Sequence, residues 1–504
     1  MTVQHFDVLI IGAGLSGVGA GVHLHENCPK KTYAILEGRP SMGGTWDLFR
    51  YPGIRSDSDM HTLGYSFKPW REAKSIADGP SILNYVNETA KQYGVDKSIR
   101  YDHLVKAAAW DSATSTWTVT ADLKNTGETA AYTCNFLFMC AGYYSYKGGF
   151  TPPFPGVETY KGQLIHPQKW PEDLDYAGKS VVVIGSGATA MTLIPAMADN
   201  AAHVTMLQRS PTYVVSRPAE DAIANTLRKF LPEKLAYHLT RWKNVTMGGH
   251  FYRQTRAKPD KIKALMLSGV RAQLGPDYDV ETHFTPRYNP WDQRLCLVPN
   301  GDLFAAIKSG QASVVTDQID TFTETGIKLK SGQELQADIV VTATGLNMEI
   351  MGGVAFSKDG APIDFAQTWT YKGMMFSGVP NLLNTFGYIN ASWTLRADLN
   401  CEFVCRLVNH MGKTGTTQVT PTLSAADKAM PERPFIDGFS AGYMQRELHR
   451  FPKQGDHEPW LNAQDYQRDK QMIRRGAIED GALIFSRGAP AAKAMPEPML
   501  QAAE

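Results

Sequence analysis

The chain has 504 residues, 43% of them hydrophobic, and a formal net charge of +1. That length has room for about three domains with sizeable cores, and the near-neutral balance lacks the basic surplus of a nucleic-acid binder. No uninterrupted apolar run approaches the roughly 18 residues of a membrane span, and the first strand begins too early to leave room for a secretory leader; a soluble, cytoplasmic enzyme without an integral membrane segment is expected.

In chain order, Phe6–Ile11 reads as an apolar strand, Gly12-Ala13-Gly14-Leu15-Ser16-Gly17 as a glycine turn, and the stretch to Cys28 as an amphipathic helix. Gly12 permits the turn, Gly14 lets the backbone approach a pyrophosphate, and Gly17 allows close helix-strand packing, with phosphates resting on the helix N-terminus. The next strand, Tyr33–Leu36, ends at Glu37, 20 residues past Gly17. An acid at that place accepts hydrogen bonds from both ribose hydroxyls. A loop-rich stretch from Gly43 to Trp70 follows, then a helix around Ser81–Tyr93, strands at Trp117–Thr120 and Phe136–Met139, and a Pro/Gly-rich linker over 151–170.

A second unit repeats the pattern: strand Lys179–Ile184, turn Gly185-Ser186-Gly187-Ala188-Thr189-Ala190, a helix through Met197, and strand His203–Gln208. It ends at Arg209 rather than an acid, 19 residues after Ala190. A guanidinium there accommodates a ribose 2′-phosphate, and Ser210 adds a hydroxyl donor. Two dinucleotides of different kinds are implied. Charged, helix-patterned sequence then interrupts the unit, strands resume near Ser313–Val315 and Ile327–Leu329, and Ala337–Thr342 runs into Gly345, where the chain crosses back. The expected fold class is α/β, with two Rossmann-like dinucleotide-binding domains and a helical insertion. The expected divisions are 1–148 and 344–487 for the first domain, 149–217 and 290–343 for the second, 218–289 for the insertion, and 488–504 for a loose tail.

The six cysteines are scattered and expected to be reduced. Cys401 and Cys405, one helical turn apart in an apolar stretch, read as helix packing, and no His/Cys cluster beside them completes a metal site. A disulfide reductase would place a Cys-x4-Cys after the first unit, and none is there. That place instead holds Gly43-Gly44-Thr45-Trp46, Tyr51-Pro52-Gly53 and Asp57, with Asp57 read as buried. The spacing resembles the flavin-contact motif GGxWxxxxYPGxxxD of the Baeyer–Villiger monooxygenases. Tyr160-x-Gly162-xxx-His166-xxx-Trp170-Pro171 resembles the same family's linker pattern FxGxxxHxxxW, with Tyr in place of Phe. Its Trp170 favours this family over the sister flavin-containing monooxygenases. Met42–Trp70, Tyr288–Leu303 and Gly387–Asp398 resemble the ethionamide-monooxygenase branch.

The resemblance implies FAD in the first domain, held by Gly12, Gly14, Ser16, Gly17, Glu37, Gly44, Thr45, Trp46, Arg55, Ser56, Asp57 and Val105. It implies NADPH in the second, held by Gly185, Ser186, Gly187, Ala188, Thr189, Ala190, Arg209, Ser210 and Trp170. The implied activity uses NADPH and O2 to convert small-molecule ketones to esters or lactones through a C4a-peroxyflavin, and also oxygenates sulfides or thioamides. Arg294 aligns with the family's catalytic arginine. Arginine suits a dry pocket where negative charge develops, because it keeps its proton and offers a planar fork of donors. Asp57 matches the acid that orients it. His166, inside the linker pattern and followed by Pro167, reads as a domain-positioning residue rather than a general base. Gly387–Trp393 corresponds to a substrate-side loop, with Ser392 placed to cap the following helix. Two alternatives stay open: an S- or N-oxygenating flavin monooxygenase with little ketone activity, and a catalytically idle flavin-binding regulator, which the presence of both Arg294 and Asp57 disfavours.

Overall fold

The computed structural model describes residues 3–488. The expected tail, apart from Gly488, therefore lies outside the described residues. Two parallel cores organise the chain. In the first, Val8–Ile10 are fully buried, as a strand covered on both faces requires. Gln4–Ile11 pairs in parallel with Tyr33–Leu36 on one side and Thr129–Met139 on the other. Outward from Thr129–Met139 the sheet turns antiparallel, through Thr116–Leu123 to His103–Asp111.

The same sheet takes strands from late in the chain. Ala355–Lys358 pairs with His103–Asp111, and Leu382–Asn384 with Thr129–Met139. The helix Leu15–Asn27 packs against Trp393–Thr414. All six cysteines are buried and free, and Cys401 and Cys405 both lie in the latter helix.

The second core is a five-stranded parallel sheet in the order Ala312–Thr316, His203–Gln208, Ser180–Ile184, Ile339–Thr342, Gln163–Ile165. Between its strands runs the insertion, with helices Ala222–Phe230, Glu233–Ala257, Pro259–Leu274 and Val280–Phe284. Its two ends are joined: Val214–Arg217, before it, pairs in parallel with Cys296–Pro299, after it. Both strands are only four residues long.

The insertion is anchored on the first unit by Arg241, which is 7% exposed. Its guanidinium donates to the carbonyls of His61, Thr62 and Gly64 at 3.0, 3.2 and 2.7 Å and to Asp398 at 3.4 Å. Asp398 also accepts from the Ser66 N–H at 3.0 Å and faces His23 at 3.5 Å. Burial alone would raise its carboxyl, but His23, Arg241 and that N–H outweigh burial and hold it below the ordinary carboxylate range.

The chain passes between the two cores at adjacent places. Tyr144–Gly149, leaving the first, pairs antiparallel with Leu346–Met348, returning to it. No helix among the described residues is long and apolar enough to cross a membrane.

Candidate active site

At the C-terminal ends of the first unit's parallel strands, where open α/β sheets bind ligands, lies a cavity of about 560 Å³. Gly12 begins its floor with φ +100°, and an added Cβ would meet the Cys140 carbonyl oxygen at 2.7 Å. Only glycine serves there. A Cβ on Gly17 would come within 1.8 Å of the Gly12 oxygen, so Gly17 lines nothing and sets the helix against the turn. Gly14 caps the helix Leu15–Asn27 without any side-chain cap, leaving backbone N–H groups facing the cavity. A Cβ on Gly14 would lie 3.5 Å from the Cα of Gly44, so two bare backbones face each other. Uncapped N–H groups between glycines suit a pyrophosphate.

Glu37 lines the same cavity and is 5% exposed. Its carboxylate accepts from the Ala13 and Arg39 N–H groups at 2.7 and 3.0 Å. Burial pushes its pKa up, with those two bonds and the Arg39 charge opposing. Ser16, Gly44, Thr45, Trp46, Arg55, Ser56, Asp57, Val105 and Arg294 complete the lining among the residues singled out in the sequence. Ser16 is already engaged: its hydroxyl accepts from the Trp393 indole N–H at 2.7 Å. Arg55 forms an ion pair with Asp302 and donates to the Met191 carbonyl, tying the Gly43–Asp57 segment to the second unit. The turn Tyr51–Gly53 rests on the same unit. Gly53 has φ +73°, and a Cβ there would strike the Cβ of Ala196 at 2.5 Å.

Arg294 follows a strained residue, Trp291, at φ +71°. The turn that carries it is held by Asn289 N–H to Asp292 at 3.1 Å, by Arg256 to Asp292 at 2.7 Å, and by Ser440 N–H to the Asp292 carbonyl at 2.7 Å. Its guanidinium lies 3.8 Å from Asp57, whose side chain is 30% exposed, open to the cavity rather than buried as expected. The separation exceeds hydrogen-bond range, so the pair interacts through charge. Asp57 raises the Arg294 pKa and burial works against it. Arg294 also lines a smaller chamber of about 150 Å³, shared with Tyr51, Ala188, Thr189 and Leu346. Arg294 thus lines both the first cavity and the chamber beside the second glycine turn.

Ala188 and Thr189 open onto that chamber. Gly185, Ser186, Gly187, Arg209, Ser210 and Trp170 lie outside both cavities. Gly187 caps the helix Ala188–Ala198 without a side-chain cap, and nothing lies within 4 Å of a Cβ placed on it. Ser186 bonds the Ser210 carbonyl and the Thr212 hydroxyl, each at 3.1 Å, which joins the turn to the end of the next strand. Arg209 and Ser210 are exposed. Trp170 packs half-buried on the second core, and Ala190 is buried within it. His166 has both ring nitrogens committed: Nδ1 accepts from the Gln168 N–H at 3.1 Å, and Nε2 donates to the Gly345 carbonyl at 3.1 Å. Burial lowers its pKa. It holds the crossover and has no free nitrogen for proton transfer.

The sequence reading missed the aromatic wall beside Arg294. Tyr143 and Tyr144 line the cavity, their hydroxyls 2.8 Å apart. Tyr143 stacks on Trp393 with ring centroids 5.1 Å apart. Burial drives the Tyr144 and Tyr443 phenols above their ordinary range, so they remain protonated donors. Ser392 stands at the N-cap of Trp393–Thr414 but makes no side-chain cap. Its hydroxyl meets that of Thr62 at 2.7 Å instead.

The family described as flavin-binding monooxygenase-like matches residues 67–248, and an NAD(P)-binding Rossmann-like domain matches residues 10–78. The chain is 55% identical over 485 residues to the FAD-containing monooxygenase EthA of Mycobacterium tuberculosis, covering 96% of this chain and 98% of that relative. It belongs to the class B flavoprotein monooxygenases, on the EthA branch. Another relative of this monooxygenase is the probable FAD-binding monooxygenase AlmA of Acinetobacter baylyi, 48% identical over 489 residues, with 96% and 97% covered. Among solved structures, a steroid monooxygenase bound to NADP superposes with a TM-score of 0.77 at 22% identity, over 96% of this chain and all of that one. A cyclohexanone monooxygenase gives 0.68 at 20%, over 83% and 90%. At such identities the likeness is one of fold.

Proposed function

We propose that this monooxygenase is an NADPH- and O2-dependent Baeyer–Villiger enzyme that converts ketones to esters or lactones and also oxygenates sulfides or thioamides. FAD and NADPH are its cofactors. The first cavity would hold FAD, with the N–H groups past Gly14 suited to its pyrophosphate and Glu37 to a ribose. The second turn would hold NADPH, with Arg209 and Ser210 as the residues that would take its 2′-phosphate. When bound, the flavin would supply hydride acceptance and O2 activation.

The chain's own residues do the rest. Arg294 keeps a positive charge fixed between the two cavities, where an oxyanion developing on a carbonyl substrate is stabilised before any reorganisation is needed. Asp57 holds that charge in place without a hydrogen bond, which leaves the guanidinium's donors free for the reacting oxygen. Tyr143, Tyr144 and Trp393 exclude water and lower the local dielectric, which strengthens the field of Arg294.

The observation that carries this reading is Arg294 lining both the large cavity and the chamber beside Thr189. The test is product identity with NADPH and a panel of aliphatic ketones, aryl ketones and thioethers. Arg294→Ala should lower ester formation by about 10²–10³-fold, the scale of removing a preorganised charge-stabilising donor, while NADPH still bleaches the flavin. Undiminished ester formation by that variant would sink the assignment. Sulfoxide without ester from the wild type would move the enzyme to the S-oxygenating class.

A further inference from the structure

The insertion displays an apolar surface that nothing among the described residues covers. Of the eleven exposed large hydrophobic side chains among the described residues, six lie within 222–257: Ile223, Phe230, Leu235, Leu239, Trp242 and Met247. Phe230 is 79% exposed and Trp242 67%. They are ordered. Ile223 and Phe230 stand seven apart on one face of Ala222–Phe230, and Leu235, Leu239 and Trp242 follow the i, i+4, i+7 stripe of Glu233–Ala257. The two helices pack on each other, and only the turn 231–232 separates Phe230 from the second stripe's helix. The opposite face is already used, since Ala224, Ala236, Tyr237, Thr240 and Arg241 are buried. These stripes are therefore not a misjudged core.

Charge says what they meet. Residues 222–257 contain seven Lys or Arg against one acid, Glu233, while the whole chain carries only +1; Arg241, Lys243 and Arg256 are paired with Asp398, Asp221 and Asp292, which leaves Arg228, Lys229, Lys234 and Arg253. Glu233 is neutralised by Arg71. Lys229 and Lys234 are exposed beside Phe230 and Leu235, and Lys258 and Lys261 are exposed at the start of the next helix, with the exposed Asp260 between them. None of these four lysines forms an ion pair among the described residues. A second copy on a two-fold axis would bring cations against cations. An apolar stripe with an exposed tryptophan, where exposed lysines outnumber exposed acids, matches an interfacial helix on anionic lipid.

We propose that the helices Ala222–Phe230 and Glu233–Ala257 dock this monooxygenase peripherally on an anionic lipid surface, with Phe230 and Trp242 entering the acyl boundary and the lysines meeting headgroups.

The test is sedimentation of the full chain with vesicles of phosphatidylglycerol and phosphatidylcholine, and with phosphatidylcholine alone. Partition onto the anionic vesicles only, released by about 0.5 M salt as screening predicts, is the expected result. The double variant Phe230→Ser with Trp242→Ser should partition at least about tenfold more weakly, as loss of two inserted rings implies. Lys229→Glu with Lys234→Glu should abolish the preference for the anionic lipid. Both variants change solvent-facing side chains, so NADPH oxidation should stay at the wild-type rate and report intact folding. No partition onto anionic vesicles, or partition untouched by both variants, overturns the proposal. So does a wild-type dimer in sedimentation velocity that the double variant splits into monomers, which would assign the face to a second copy.

Discussion

The two glycine turns have nearly the same sequence grammar and different surroundings. The first is enclosed: Gly14 faces Gly44 across a shared cavity, and Glu37 is buried with both oxygens engaged. The second is open: Gly187 has nothing within 4 Å of its added Cβ, and Arg209 is solvent-exposed. An enclosed, preorganised cradle has already ordered its groups before the ligand arrives, so release is slow. An open turn with an exposed arginine allows exchange. On the proposed assignment the contrast separates a resident flavin from a nicotinamide cofactor that visits once per turnover.

The sharpest way to break this comparison is to place the same methyl group in both turns. Gly12→Ala meets the Cys140 carbonyl and a positive φ; backbone strain alone costs about 1–3 kcal/mol, and the purified protein should lose most of its flavin absorbance. Gly187→Ala should keep its flavin and its melting temperature. Equal flavin retention by the two variants would erase the distinction. Next in size, Arg209→Ala should raise KM for NADPH about 10–100-fold, the worth of hydrogen bonds to a charged group, and leave KM for NADH unchanged. A parallel change in both would remove Arg209 from the site. Ser16→Ala frees the Trp393 indole N–H, and flavin affinity should fall by about 0.5–1.5 kcal/mol, one ordinary hydrogen bond, as read by equilibrium dialysis.

The smallest effect concerns how the first unit is braced. Asp398 has a depressed carboxyl pKa in the folded state. Its contribution is therefore fully present above the unfolded value, about 3.9, and is lost as pH falls through the lower folded value. Asp398→Asn should flatten the acid limb of a stability-against-pH curve below about pH 4. An unchanged acid limb would show that the insertion is not anchored through this carboxylate.

Both turns, their strands, the place of Glu37 and of Arg209 at the ends of those strands, and the nearness of Arg294 to Asp57 were legible because each rests on local spacing, on period-2 or helical hydropathy, or on a family motif. What stayed hidden is long-range. Nothing near Tyr143 in the sequence says that its ring will stack on Trp393, and nothing near Ser16 says that the same indole will take its hydroxyl. Arg55 resembled a cofactor contact, yet its charge meets Asp302 from a helix much further along the chain. The strand pair closing the insertion was unreadable for the same reason: Val214–Arg217 and Cys296–Pro299 are four residues each and acquire strand character only by meeting.

The late strands of the first sheet carry a consequence for synthesis. Gln4–Ile11 emerges from the ribosome first, but its sheet awaits Ala355–Lys358 and Leu382–Asn384, and the helix Leu15–Asn27 awaits its partner Trp393–Thr414. The five parallel strands of the second unit, all between Gln163 and Thr342, are complete before any of these leave the exit tunnel. The segment translated later thus completes its sheet earlier, and the amino-terminal part of the first unit spends most of translation with an unfinished sheet for chaperones to cover.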